Sequence, residues 1–305
     1  MRWIALLISL IQFGCASGPG GVNRAALEVD TATLLAAAGE AAITLAAPDT
    51  PATAPPITSH AQALLAVSPE MRAFVDSIDP TLSPNQRFRR ILRTLKMDRF
   101  ELDYDLNTTT TAAEAFAQQR GNCISFSALM VALAREVGLE ANFNLVEAPL
   151  ARRTTTGGNG RALVQNVLHI NAEVSIGWSS RVIEFNFGPY SRFPQRELSD
   201  ATVQTYYLNN RALELSHQQR IGEAFALLRE GLSIDPDSSM LWNSLGYLYR
   251  LTGELELAEM SYTQALNLEG GNAAAKNNLR RVYELQGLRA LTREENPGEP
   301  KGKGS

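Results

Sequence analysis

An α+β domain followed by an all-α array of helical hairpins is the fold this sequence predicts. Three observations predict it. Over 61–198, helical spacing (Phe88, Ile91, Leu92, Leu95) gives way to period-two alternation at 168–176. After residue 200 the texture is wholly helical, and within it residues repeat every 34 positions. The 305 residues, 45% hydrophobic and 20% charged, allow about two domains at roughly 100–200 residues each. A net charge of -4 excludes nucleic-acid binding driven by a basic field. No apolar run approaches the ~20 residues of a membrane span. Two Cys and three His exclude a zinc finger or Cys-rich metal cluster, and nothing implies a metal site or a cofactor.

Residues 1–14 read as a signal peptide. Arg2 supplies the positive start, and Trp3 to Phe13 is almost wholly apolar but too short to span. Gly14-Cys15-Ala16-Ser17 then resembles the processing site of bacterial lipoproteins, where the Cys is acylated and becomes the new N-terminus; Gln12 departs from the usual Leu. The alternative is an ordinary secretory signal with Cys15 a bystander. With Cys15 acylated, the protein is membrane-anchored by lipid in a bacterial cell envelope. Ala16 resembles outer-membrane sorting, which places the chain facing the periplasm. Residues 15–60, rich in Ala, Thr and Pro, read as a flexible tether with a weak Ala-rich helix near 32–46.

The predicted domain over 61–198 begins with a helical lobe. Ser68-Pro69-Glu70 and Ser83-Pro84 each set an N-cap before a proline at the first helical position. Arg87, Arg89, Arg90 and Arg93 form the solvated flank of the second of these helices. Thr111 and Glu114 form a capping box for a helix through Arg120. Gly121-Asn122 breaks the pattern, and a new helix runs from Cys123 to Val137 until Gly138 stops it. Ala141–Val146 reads as a strand, 152–160 as a polar, Gly-rich loop, and Leu163–Ile176 with Arg181–Phe187 as a β-hairpin.

Over 199–290, Ala212, Gly246 and Arg280 lie 34 apart, as do Leu215, Tyr249 and Tyr283. Trp242-x-x-Leu245-Gly246-x-x-Tyr249 carries the tetratricopeptide pattern. Two repeats (205–238, 239–272) and a partial third (273–290) are few for a free-standing solenoid, so the array is expected to pack on the preceding domain. Residues 291–305 read as a disordered tail.

Cys123 stands at the first turn of its helix, where unpaired N–H groups and the helix dipole favour a thiolate over a thiol. A thiolate nucleophile needs an imidazole to accept and return protons. His60 lies in the tether and His217 in the first repeat. His169 shares a domain with Cys123, on the strand face opposite the apolar Leu168, Ile170, Ala172, Val174 and Ile176. A third group should orient the ring. Parity puts Glu184 and Asn186 of the return strand on the face of His169. A two-residue loop at Ile176-Gly177 sets Glu184 opposite the imidazole; one at Gly177-Trp178 sets Asn186 there.

The block Thr-Ala-Ala-Glu-Ala-Phe…Arg-Gly-Asn-Cys-Ile-Ser-Phe-Ser (111–127), with Ala-Arg-Glu-Val-Gly-Leu-Glu-Ala (134–141), His169 and Val-Ile-Glu-Phe-Asn (182–186), resembles the bacterial transglutaminase-like domain of the papain-like cysteine superfamily. The resemblance implies a nucleophile helix packed on an antiparallel sheet, with Cys123 as nucleophile and His169 as base. Glu184 is then the third member, where the family usually has Asp, with Asn186 as the alternate.

Two functions follow. One is an enzyme acting on amide or ester bonds through a thioester, by hydrolysis or acyl transfer, with the repeats recognising a protein or peptide. The other is a catalytically silent adaptor. Tetratricopeptide grooves commonly bind extended peptides, and Asn209, Asn243 and Asn277, 34 apart, are candidate ligand contacts, with Asn210 and Asn278 beside them.

Overall fold

The computed structural model describes residues 28–45, 59–97, 103–156, 162–184 and 193–295, with 96–97, 148–156, 162–168 and 288–295 described by their backbone alone. The expected signal peptide, Cys15, Asn186 and residues 296–305 of the expected tail lie outside the described residues. No described helix is long and apolar enough to cross a membrane.

Four helices come first: α1 (Thr31–Thr44), α2 (His60–Ala63), α3 (Pro69–Asp76) and α4 (Pro84–Met97). Ser68 caps α3 by accepting the Met71 N–H, with Pro69 at the first helical position. Along α4, Phe88, Ile91, Leu92 and Leu95 are buried, and Arg89, Arg90 and Arg93 are exposed. Arg87 departs from the solvated flank expected of it. It is half-buried and donates to the Val75 carbonyl (2.9 Å), tying α4 to α3.

A short parallel pair, β1 (Asp103–Tyr104) and β2 (Arg120–Gly121), brackets α5 (Ala112–Gln118). Helix α6 (Cys123–Glu136) then runs through the centre of the domain. Every side chain from Ile124 to Ala134 is buried, which explains why that stretch is apolar or small all round. Gly138 ends it in the left-handed region (φ 85°), with the Leu139 N–H returning to the Ala134 carbonyl.

Four antiparallel strands follow: β3 (Ala141–Thr156), β4 (Ala162–Ile176), β5 (Ser179–Ile183) and β6 (Gln195–Leu198), in the spatial order β5-β4-β3-β6. Ile170, Ala172, Val174 and Ile176 join the core that α6 fills. Strand β3 pairs with β4 on both sides of a register shift between Val146 and Ala151. Residues 152–156, expected in a loop, therefore extend the strand; β-branched Thr154, Thr155 and Thr156 suit the pleat.

The array consists of α7 (Asp200–His217), α8 (Ile221–Ile234), α9 (Ser239–Thr252), α10 (Leu255–Leu268) and α11 (Ala273–Glu295). Its first five residues precede the expected repeat boundary at 205. Residues 291–295, expected in the tail, continue α11. Small residues let the helices close up: a Cβ on Gly246 would stand 2.9 Å from the Tyr262 ring. The Trp242 indole N–H donates to the Pro236 carbonyl (2.8 Å), fixing the turn between repeats.

The array is not free-standing. Helix α7 meets α2, and α11 at the far end returns to β4. Helix α1, expected within a flexible tether, instead lies across α8 and α10. It buries Leu34 and Ala38, and the Tyr249 hydroxyl donates to the Leu34 carbonyl. Apolar area taken from water outweighs the weak intrinsic signal of an alanine-rich stretch.

Candidate active site

The position of Cys123 is built by the residues just before it. The capping box of Thr111 and Glu114 starts α5, and Gln119 ends it in the left-handed region (φ 56°). Gly121 must be glycine on steric grounds: a Cβ there would lie 2.5 Å from Ser125 Cβ. Asn122 is the N-cap of α6. Its Oδ1 accepts the N–H groups of Ile124 (3.1 Å) and Ser125 (3.2 Å) and the Ser125 hydroxyl (3.2 Å). Its Nδ2 donates to Thr109 Oγ1 (2.7 Å). With those two N–H groups committed, the Cys123 N–H is left as the donor at the helix tip. Cys123 itself is half-buried and a free thiol.

Strand β4 brings the imidazole to it. The Ser127 hydroxyl donates to the Ile170 carbonyl (3.2 Å), locking the helix to the strand beside His169. His169 is 8% exposed, so the strand face opposite the apolar one is covered at this point. Its Nε2 lies 2.7 Å from Glu184 Oε2, and the ring also hydrogen-bonds Cys123. Since Nε2 serves the carboxylate, Nδ1 is the nitrogen available to the sulfur. Burial lowers the affinity of this imidazole for its proton, but the hydrogen bonds and negative charge of Cys123 and Glu184 outweigh that and push its pKa up to about 9.

The hairpin register explains how Glu184 arrives. Ile176 pairs with Ser179, so Gly177-Trp178 is the loop, and positive φ at Gly177 alone is the type II′ geometry. Continued by one residue, this register sets Asn171 opposite Glu184. Glu184 therefore reaches His169 diagonally, which the extra methylene of Glu over Asp makes possible. Asn171, not singled out in the sequence, donates to Glu184 Oε2 at 3.5 Å. Sharing the parity of His169 two residues on is the signal that could have found it. Asn186, the alternate third member, lies outside the described residues.

One further chain of contacts runs from the array to Asn122, beside Cys123. Glu214 of α7 accepts the N–H of fully buried Thr109 (2.8 Å), whose hydroxyl holds Asn122. The loop carrying Thr109 is pinned by Asp105. The Asn107 N–H and the Thr108 hydroxyl, with Arg120 beside them, hold its carboxyl at about 2. Neither Thr109 nor Glu214 stands out locally in the sequence.

A cavity of about 890 Å³ opens beside the sulfur and continues along the array. Its lining includes Cys123 and Ile170 of the first domain, residues of α7 and α9, and Glu269 and Asn272 from the turn after α10. Asn209 and Asn243 line it and are 3% and 5% exposed. Their Oδ1 atoms accept from Ser244 (2.6 Å) and Asn278 (2.8 Å), respectively. Asn277, grouped with them by the period, is not among the lining residues; its Oδ1 accepts from Arg280 (3.2 Å). The cavity is also lined by His217, while His60 is elsewhere, 2.9 Å from Glu230. No group of His, Cys, Asp or Glu that could hold a metal ion occurs among the described residues.

Comparison with known families matches two parts of the chain. The model of the transglutaminase-like superfamily matches residues 72–180, which contain Cys123 and His169 and stop short of Glu184. A tetratricopeptide repeat model matches residues 241–272. Comparisons with curated proteins and with solved structures give no match. The chain thus carries a transglutaminase-like domain followed by a helical region that includes a tetratricopeptide repeat.

Proposed function

We propose that this chain is a cysteine-dependent enzyme acting on amide or ester bonds, with its repeats recognising a protein or peptide. The observation that carries this reading is the connected series of Cys123, His169 and Glu184, whose Cys123 lines a cavity. His169 takes the Cys123 proton, and the sulfur attacks the substrate carbonyl carbon. The Cys123 N–H is positioned to meet the developing oxyanion. The C–N or C–O bond then breaks, the leaving amine or alcohol takes the proton from His169, and a thioester remains. Water completes hydrolysis, and an amine completes transfer; each gives up a proton to His169 as it attacks and releases the sulfur. Glu184 holds the ring's orientation throughout.

Alkylation tests the series without a known substrate. Iodoacetamide should modify Cys123 in the wild type at least about tenfold faster than in His169→Ala at the same pH. Equal rates would end the catalytic reading. A strain carrying Cys123→Ala that behaves as wild type, while loss of 205–290 gives a phenotype, would favour an adaptor instead.

The proposal extends to location: a lipoprotein of the bacterial cell envelope, acylated at Cys15 and anchored in the outer membrane facing the periplasm. Its support is the run Trp3–Phe13 followed by Gly14-Cys15-Ala16. Labelled palmitate should enter the wild type and not Cys15→Ser.

A further inference from the structure

The cavity that begins at Cys123 is unevenly charged. Four carboxylates line it (Glu214, Asp235, Asp237 and Glu269), and no Lys or Arg is among the lining residues. Arg211 pairs with Glu214 at 2.9 Å, but Asp235, Asp237 and Glu269 form no ion pair among the described residues. Asp235 and Glu269 are 34 apart and end α8 and α10 with the same backbone geometry, so the repeat sets carboxylates at matching helix ends, and both line the cavity. A concave site walled by protein concentrates the field of such charges.

Neutral donors accompany them. Asn209 and Asn243 are more than nine-tenths buried, and their oxygens are already committed to neighbouring helices. Among the described residues nothing accepts from their Nδ2 groups, which leaves these amides to donate into the cavity they line. They lie one repeat apart on α7 and α9. A volume of about 890 Å³ stands at the upper end of the roughly 300–1,000 Å³ usual for ligand pockets. An elongated ligand with repeated carbonyl acceptors and positive side groups matches all three features.

We infer that this cavity is a composite substrate site that takes an extended peptide segment bearing Lys or Arg side chains. The amides of Asn209 and Asn243 hold its backbone carbonyls, and Asp235, Asp237 and Glu269 its cationic groups, so that the segment runs toward Cys123. The array then selects the substrate for the domain it is packed on. This assignment rests on the proposed acyl chemistry for its meaning as a substrate site, but its binding claim can be measured separately.

The test uses the full chain with Cys123→Ala, so that no turnover occurs. Fluorescence anisotropy compares three labelled dodecapeptides: repeating Gly-Lys-Ala, the same peptide with every lysine acetylated, and repeating Gly-Glu-Ala. The lysine peptide should bind, and the other two should bind at least about tenfold more weakly. Adding Asp235→Asn with Glu269→Gln should weaken the lysine peptide about tenfold, as expected for two partly exposed ion pairs lost together. These replacements keep the oxygens that accept from the Asp237 N–H and from Asn272, so the turns should survive. In the wild type, saturating lysine peptide should also slow alkylation of Cys123, placing the bound segment beside the sulfur. Equal binding of the three peptides, no binding of any, an unchanged affinity in the double variant, or unprotected Cys123 would each overturn the assignment. The His169→Ala alkylation comparison, made without peptide, judges the acyl chemistry independently.

Discussion

Glu214→Ala removes a single side chain of the array and should be felt at Cys123. Glu214 Oε1 accepts the Thr109 N–H at 2.8 Å, and Thr109 is fully buried, so water cannot replace the lost acceptor. Leaving that donor unsatisfied costs about 1–3 kcal/mol. Loss of the part-buried Arg211 pair adds little, because its Coulomb gain is largely offset by the cost of desolvating the two charges. Relief of the buried carboxylate's desolvation offsets part of the total. A net loss of about 2 kcal/mol lowers the melting temperature by about 4–8 °C at roughly 2–4 °C per kcal/mol. The alkylation rate of Cys123 should fall as well, since Thr109 also holds Nδ2 of the Asn122 cap. Glu214→Gln separates bonding from charge. Burial pushes the Glu214 carboxyl above its ordinary range against the pull of Thr109 and Arg211, so a neutral amide oxygen should serve nearly as well. Thermal melts followed by circular dichroism, with alkylation followed by mass spectrometry, make the comparison. If the Ala variant melts and alkylates as the wild type, or Gln fails as badly as Ala, the relay does not operate.

Three further outcomes are expected. Glu184→Asp should slow Cys123 alkylation about tenfold, nearly as much as Glu184→Ala, because the shorter side chain cannot span the diagonal to His169; a wild-type rate would show that reach is irrelevant. Because the His169 pKa is raised from 6.5 to about 9 by folding, the charged ring stabilises the fold fully below pH 6.5, and that contribution, of about 3 kcal/mol, is lost as pH rises to 9. The melting temperature should therefore fall more steeply between pH 6.5 and 9.5 in the wild type than in His169→Gln, and parallel curves would refute this. Gly246→Ala forces a methyl against the Tyr262 ring and should cost about 1–3 kcal/mol in a denaturant melt, with no loss meaning that the ring yields freely.

Local signals carried the reading a long way. The Thr111–Glu114 capping box, the Ser68 cap, the buried face of α4 and the start of α6 at Cys123 all depend on neighbours within four residues, and all are legible in sequence. Parity assigned Glu184 to the face of His169, but the loop at Gly177-Trp178 sets it opposite Asn171, and its diagonal reach to the ring depends on side-chain length, which parity does not encode. Partners far along the chain were illegible. Nothing beside Leu34 announces Tyr249, and nothing beside Thr109 announces Glu214. Asn277 keeps the period of Asn209 and Asn243, but the array ends with its helix, and periodicity alone could not separate it from them.

The docking of α1 on the back of the array changes the length of the leash. On the proposed acylation at Cys15, fifteen residues rather than forty-five separate the lipid from folded protein, since the first helical residue is Thr31 and not one near residue 60. At no more than roughly 3.3–3.6 Å per residue, the farthest excursion from the bilayer shrinks from about 150 Å to about 50 Å. On that proposal, helices α8 and α10, which α1 crosses, would be the part held nearest the lipid, and the chain would be confined to a shallow layer above it.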